Sequence, residues 1–358
     1  MQIGIITFHR AHNYGAVLQC YALQQVLTNM GHKVEVIDYV NPYIDWLYKP
    51  HKAIVYVIKQ LFQCNIYKIR LHIESYRLAK KRSIFFGNFV KKYLRCTSKC
   101  DEKTIPQNFD AYIIGSDQMW SLDCSGGADS VYWGTFEKPC KSKLYGFSIS
   151  ANGDFKKSLS DCDVLSCLSN FDDVSFREAD IAKLFEEISG VKYPITLDPT
   201  LLTDAKLWNP LSNSKWKDKK YVVIYQIRRL ESNPQMLEKC AIAYANKYNF
   251  EVLDLSGMDC TVEDFVSAIR FAQAVFTSSF HATAFSVIFQ KRFLAFKLYD
   301  GRDARYENLL MALNLENHLV DEQSLDTTPP EFVWTKEGKN KYENLKKQSL
   351  DYLKQIVD

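Results

Sequence analysis

Long apolar runs are missing from this 358-residue chain, and none approaches the roughly 18 residues that would cross a bilayer. The opening MQIGIITF lacks the basic start, extended apolar stretch and small-residue cleavage site of a secretory signal, so a cytoplasmic protein is expected. None of the ten cysteines has a partner at the two-residue spacing of zinc sites. The nearest pairs are Cys96/Cys100 and Cys162/Cys167, and the histidines do not cluster with them. No metal is expected, and the thiols should be reduced and mostly buried. Glycine is sparse where a dinucleotide would need it: the loop HRAHNYGA has one glycine in place of G-x-G-x-x-G, which disfavours a dinucleotide cofactor.

What is present describes a folded protein, with 47% hydrophobic and 24% charged residues and a net charge of only +3. The length suits two domains of roughly 150 residues each. Strand-like and helix-like patterns alternate along the chain. Gln2–Thr7 is a strand, Ala16–Met30 a helix closed by Gly31, and Lys33–Asp38 the next strand, a βαβ unit that implies a parallel sheet. Asp110–Ile114, Lys143–Ser150, Val174–Phe176 and Ile195–Leu197 read as further strands. Asp204–Lys220 reads as a crossing linker. The alternation restarts with strands at Tyr221–Gln226, Glu251–Leu255, Ala274–Thr277 and Phe293–Phe296. Helices are expected at Pro234–Tyr248, Val262–Ala272, Phe280–Phe289, up to Leu313, and over Lys336–Ile356. The fold class is α/β, in two halves facing a cleft.

Polar residues collect where these strands end, which is where open parallel sheets bind ligands. Asn13, Tyr14 and Gly15 line the first junction, with capping and a tight turn as the competing structural roles. Gly115-Ser116-Asp117-Gln118, with Trp120 beyond, forms the second. Arg177 and Glu178 follow the strand at Val174; Arg177 either clamps an anion with its planar fork or pairs with a neighbouring acid. In Phe271–Lys297, Ser278 or Ser279 caps a helix whose first turn carries His281, and free N–H groups there favour an anion.

Acidic residues are scarce in one segment only. Between Lys49 and Lys99, thirteen Lys/Arg face a single acid, Glu74, with Tyr56, Phe62, Tyr67, Tyr76, Phe85, Phe86, Phe89 and Tyr93 interleaved. The periodicity is that of an amphipathic helical insertion at about 45–100. It is either a solvated charged face or a surface drawn to anionic lipid. No nucleic-acid motif accompanies the charge, so nucleic acid is not an expected partner.

Five stretches together resemble the polysaccharide pyruvyl transferase family. They are Asn13-Tyr14-Gly15-Ala16, Gly115-Ser116-Asp117-Gln118 with Trp120, Ser175-Phe176-Arg177-Glu178, Leu197-Asp198-Pro199-Thr200-Leu201-Leu202 and Thr277-Ser278-Ser279-Phe280-His281. They stand in family order over roughly Ile3–Leu315. The resemblance implies two Rossmann-like domains in a GT-B-like arrangement: residues 1–204 on the acceptor side, 205–325 on the donor side, and a C-terminal helix over 326–358. It also implies transfer of pyruvate from phosphoenolpyruvate, a co-substrate, to a sugar or lipid-linked oligosaccharide acceptor, usually as a ketal. No other cofactor is implied. His281 is then the expected general acid and Asp117 the base or a ligand of the acceptor hydroxyl. Arg177, Ser278, Ser279, Lys297 and Arg305 are expected on the donor, and Asn13, Tyr14, Gly15, Ser116 and Gln118 on the acceptor. The chain departs from the family at Ser279-Phe280-His281-Ala282, where many members have an arginine in place of Ser279; Arg177, Lys297, Arg302 or Arg305 could compensate. A nucleotide-sugar glycosyltransferase and a non-catalytic pathway protein are the competing functions.

Overall fold

The computed structural model describes residues 1–49, 66–152, 154–157, 159–227, 234–299, 303–321 and 328–358, without the side chains of residues 66–75, 234 and 235. Among the described residues, ten short strands form two five-stranded parallel sheets. The first joins β1 (Gln2–Ile6), β2 (Lys33–Val36), β3 (Ala111–Asp117), β4 (Lys143–Ile149) and β5 (Asp173–Phe176) in the order β2-β1-β3-β4-β5. The second joins β6 (Tyr221–Tyr225), β7 (Glu251–Asp254), β8 (Ala274–Thr277), β9 (Arg292–Phe296) and β10 (Leu319–Val320) in the order β10-β9-β8-β6-β7. Central strands are apolar on both faces because helices cover each side; β3, β6 and β8 are buried along their whole length.

The helices follow the caps that the sequence supplies. α1 (Tyr14–Asn29) begins where the Asn13 side chain accepts hydrogen bonds from the Gly15 and Ala16 amides. It ends before Gly31, whose φ of +94° is the left-handed conformation glycine adopts most readily. α2 (Pro42–Tyr48) is capped by Asn41, and α3 (Ile66–Tyr93) carries part of the basic segment. Residues 50–65 of that segment, and Arg302, lie outside the described residues. The other helices among the described residues are α4 (Leu122–Ser125), α5 (Asp161–Leu168), α6 (Ala179–Ser189), α7 (Pro234–Tyr248), α8 (Val262–Phe271), α9 (Phe280–Ile288), α10 (Ala304–Ala312) and α11 (Lys336–Val357).

By its contacts the chain forms two units, essentially Met1–Val174 and Ser175–Ile356. Residues after Ser175 join the second unit because their side chains are engaged there. The Leu197 amide donates to Ser349 Oγ, and Asn308 Nδ2 donates to Asp180.

Three sequence expectations need correction. Beyond Phe176, only Ile195 pairs in the expected strand at 195–197; Asp198 and Pro199 then turn the chain into a 3₁₀ turn at Pro199–Leu202. Asp204–Lys220 is a packed strap and not a free linker. Trp208, Leu211 and Trp216 are buried, with Trp208 edge-on to Phe285 at 4.7 Å. Burying a large apolar side chain is worth about 1.5–3 kcal/mol, which holds the strap down. The thiols are less buried than expected: of the nine described, Cys20, Cys100 and Cys260 are buried, while Cys140 and Cys162 are exposed. All nine are free.

Candidate functional site

In the second unit the site grows from three chain turns. Thr277 ends β8, and its hydroxyl donates to the Tyr225 carbonyl of the neighbouring strand at 2.7 Å. Ser279 then caps α9 by accepting from the Ala282 amide at 3.4 Å, so His281 enters the first helical turn as the sequence suggested. All of α9 through Val287 is buried, including His281 at 5% exposure. Ser278 Oγ and His281 Nε2 are buried without hydrogen-bond partners among the described residues.

Asp198 is the residue the sequence reading left out of the site. It is fully buried, and its Oδ1 accepts from the Thr200 amide at 2.9 Å and the Thr200 hydroxyl at 2.6 Å. Its Oδ2 pairs with Arg177 Nη2 at 2.8 Å and lies 3.5 Å from His281 Nε2, an electrostatic contact but not a hydrogen bond. Burial alone would push Asp198 up. The Arg177 guanidinium and the His281 ring outweigh burial and hold the carboxyl well below the usual carboxylate range. Arg177 also stands over the Phe280 ring, 4.9 Å from its centroid. The choice between a salt bridge and an anion clamp thus has an answer for the first part: Arg177 pairs with Asp198. The signal was the Asp198-Pro199-Thr200 turn, since an aspartate fixed by a proline after a strand is a preset carboxylate.

A cavity of about 210 Å³ lies against this group, lined by Arg177, Asp198 and Phe280 and by Leu197, Arg305 and Leu309. Arg305 is therefore at the site's edge. Lys297 is committed elsewhere, with its Nζ 2.8 Å from Glu307 Oε1; that bond raises the lysine further.

In the first unit, the carboxyl ends of β1 and β3 meet around Gln19. Its amide donates to Thr7 Oγ1 at 2.7 Å, while its carbonyl accepts from the Ser116 amide at 3.2 Å. Thr7 Oγ1 in turn donates to the Ser116 carbonyl. Gly115 must be glycine: at φ +124° a Cβ would fall 2.2 Å from the Phe147 carbonyl oxygen. Asp117 is buried and accepts from the Gln118 amide at 2.9 Å. Gln118 is buried, and its carbonyl takes a weak bond from the Cys124 thiol. Asn13 acts as a cap, Gly15 supplies an amide to that cap, and Tyr14 packs against Phe86 at 5.2 Å.

The sequence reading also missed His9, Arg10 and Asp38. The two ring nitrogens of His9 face the Thr7 carbonyl at 3.1 Å and Asp38 Oδ1 at 2.8 Å, and Arg10 grips both Asp38 oxygens at 2.7 Å. Burial pushes Asp38 up, but the His9 and Arg10 hydrogen bonds hold it below the usual range. An aspartate ending the strand after HRAHNYG was the available hint.

Polar side chains gathered at the carboxyl ends of parallel strands, with a histidine at a helix start beside a fixed carboxylate, define an α/β enzyme of the ligand-binding type. The chain belongs to the polysaccharide pyruvyl transferase family, which matches it over residues 13–298, and is therefore a transferase of polysaccharide biosynthesis. No curated protein matches it significantly. Similar solved structures include the UDP-GlcNAc 2-epimerase of Neisseria meningitidis, at 9% identity and TM-score 0.44, covering 100% of this chain and 99% of that one. The spinosyn forosaminyltransferase SpnP has 10% identity and TM-score 0.41, with 100% of each chain covered. UGT89C1 of Arabidopsis thaliana has 11% identity and TM-score 0.40, covering 99% and 92%. Among the described residues, no helix is long and apolar enough to cross a membrane.

Proposed function

We propose that this chain moves pyruvate from phosphoenolpyruvate to a hydroxyl or diol of a sugar in a surface polysaccharide or its lipid-linked precursor. The observation that carries this reading is His281 in the first turn of α9, with the Asp198–Arg177 pair fixed beside it. Helix N-termini attract anions, and the Ser278 hydroxyl stands ready to donate to one. Phosphoenolpyruvate brings a phosphate and a carboxylate. His281 delivers a proton to the methylene carbon, which becomes the methyl group. An acceptor hydroxyl bonds to the adjacent carbon and its proton passes to solvent. A second hydroxyl then displaces phosphate and closes the ketal.

An acceptor screen with phosphoenolpyruvate tests this, read by inorganic phosphate release and acceptor mass gain. Phosphate release that depends on acceptor is expected. Release of a nucleoside diphosphate from a sugar nucleotide, with none of phosphate from phosphoenolpyruvate, would overturn the reading in favour of a glycosyltransferase.

The reading extends to where the acceptor is held. On α3, Phe86 and Phe89 are buried, while Arg77, Lys80, Lys81, Ile84, Lys91 and Lys92 are exposed. That amphipathic face suits the headgroups around a lipid-linked acceptor at the inner face of the cell membrane, each cation adding about 1 kcal/mol. The protein is expected to sediment with anionic vesicles and not with neutral ones. Binding should fade as the Debye length shrinks from about 10 Å at 0.1 M salt to about 3 Å at 1 M, and on Lys80→Glu with Lys81→Glu. Equal binding to neutral vesicles would point to insertion of apolar side chains instead, and no binding to either would point to a soluble acceptor.

A further inference from the structure

The chain leaving β2 borders a cavity of about 580 Å³ that lies wholly in the first unit. Tyr39, Asn41, Tyr43, Glu102, Gly126 and Asp129 are among the residues that line it. This volume falls in the range of small-molecule sites. Its walls are built in advance. Asp129 Oδ2 accepts from the Tyr39 hydroxyl and from Asn41 Nδ2, both at 2.7 Å, while Oδ1 accepts from the Tyr132 amide at 3.0 Å. Asn41 also donates to the Ser125 carbonyl at 3.2 Å, tying the segment after β2 to the loop after α4. Gly126 has φ +80°, and a Cβ there would fall 2.3 Å from Tyr43 Cγ. The absence of a side chain is what lets the Tyr43 ring lie against this loop. Trp46, one turn further along α2 and 47% exposed, is 6.4 Å from Tyr43 between ring centroids.

Two features indicate the ligand. The Tyr43 ring, with the exposed Trp46 next to it, lines the cavity with carboxylate and hydroxyl groups and matches a sugar ring, which offers an apolar C–H face and a rim of hydroxyls. Among the described residues the charge is one-sided, since Asp101, Glu102 and Asp129 line the cavity and Lys103 is the one cation there. An anionic ligand meets net repulsion there, and an amine meets attraction. We propose that this cavity is a saccharide subsite that takes a neutral or amine-bearing sugar and excludes sugars bearing carboxylate or phosphate. The inference deepens the transferase reading by naming the charge class of the acceptor, and rests on it only for the sugar's role as acceptor.

The test is binding of the full chain, without phosphoenolpyruvate, to an array of immobilised neutral, amino and acidic glycans. Retention of neutral or amino glycans and no acidic ones is expected. Tyr43→Ala should weaken retention about tenfold, equivalent to about 1.4 kcal/mol of lost contact. Glu102→Lys, an exposed change that leaves the Asp129 network intact, should admit acidic glycans. The proposal is overturned if no glycan is retained, if the unmodified chain prefers acidic glycans, or if neither substitution alters the pattern. His281→Gln separates the two readings, because it should lower turnover by ~10²–10⁴-fold and leave glycan retention unchanged. Retention without any phosphoenolpyruvate turnover in the unmodified chain would sink the donor reading alone; turnover on acidic acceptors would sink the subsite alone.

Discussion

His281→Gln is expected to lower phosphate release from phosphoenolpyruvate by ~10²–10⁴-fold, the scale that a positioned general acid contributes. The ring sits in the first turn of α9 at 5% exposure, and Ser279 fixes that turn by capping it. Glutamine keeps a polar group in the same buried place but cannot carry a proton between substrate and solvent. The loss should therefore fall on kcat, with donor affinity little changed, because Ser278 and the helix N-terminus remain. Single-turnover phosphate release and direct measurement of phosphoenolpyruvate binding separate the two. Near-normal turnover in a folded variant would remove His281 from the chemistry.

Arg177→Leu should have the largest effect on stability. Asp198 is fully buried, and the arginine is the cation that holds its Oδ2 at 2.8 Å. Removing one member of a buried ion pair costs about 3–5 kcal/mol, because the carboxylate stays behind without its counter-charge. The sign with pH follows. In the unmodified protein Asp198 lies below its unfolded value, so its stabilisation is present above about pH 4 and is lost as pH falls through the folded value. In the variant the pull of Arg177 is gone and burial raises the carboxyl instead. The penalty should then shrink as pH falls toward that raised value, because the buried group takes up a proton. Urea unfolding at pH 7 and at pH 5 checks this, with a smaller difference between variant and parent expected at pH 5. A difference that does not change with pH would mean that Asp198 is not what the arginine stabilises. Arg177→Leu combined with Asp198→Asn should recover part of the stability, since the amide oxygen can still accept from Thr200.

Local rules carried much of this protein. Asn13 read as a cap or a ligand contact and Ser278 or Ser279 as a cap, and Asn13 and Ser279 are the residues that cap; Gly31 read as a helix stop and the apolar run at Ala274–Phe276 as a covered parallel strand, and both take that place. These features depend on residues a few positions apart, so hydrophobic period and capping chemistry are enough to find them. The five family stretches likewise lie in short junctions whose residue types are visible in the chain. What the sequence could not assign was partnership across long stretches of chain. Arg177, Asp198 and His281 come from three separate turns, and nothing local says that one carboxylate faces both the guanidinium and the imidazole. His9 and Arg10 meet Asp38 only because β1 and β2 lie side by side in register. The strap at Asp204–Lys220 has the polar composition of a linker, yet Trp208 and Trp216 bury it, because apolar area is worth more against a packed sheet unit than in water. Sequence period fixes which face of an element is apolar; only the packed structure decides what that face, and each buried charge, meets.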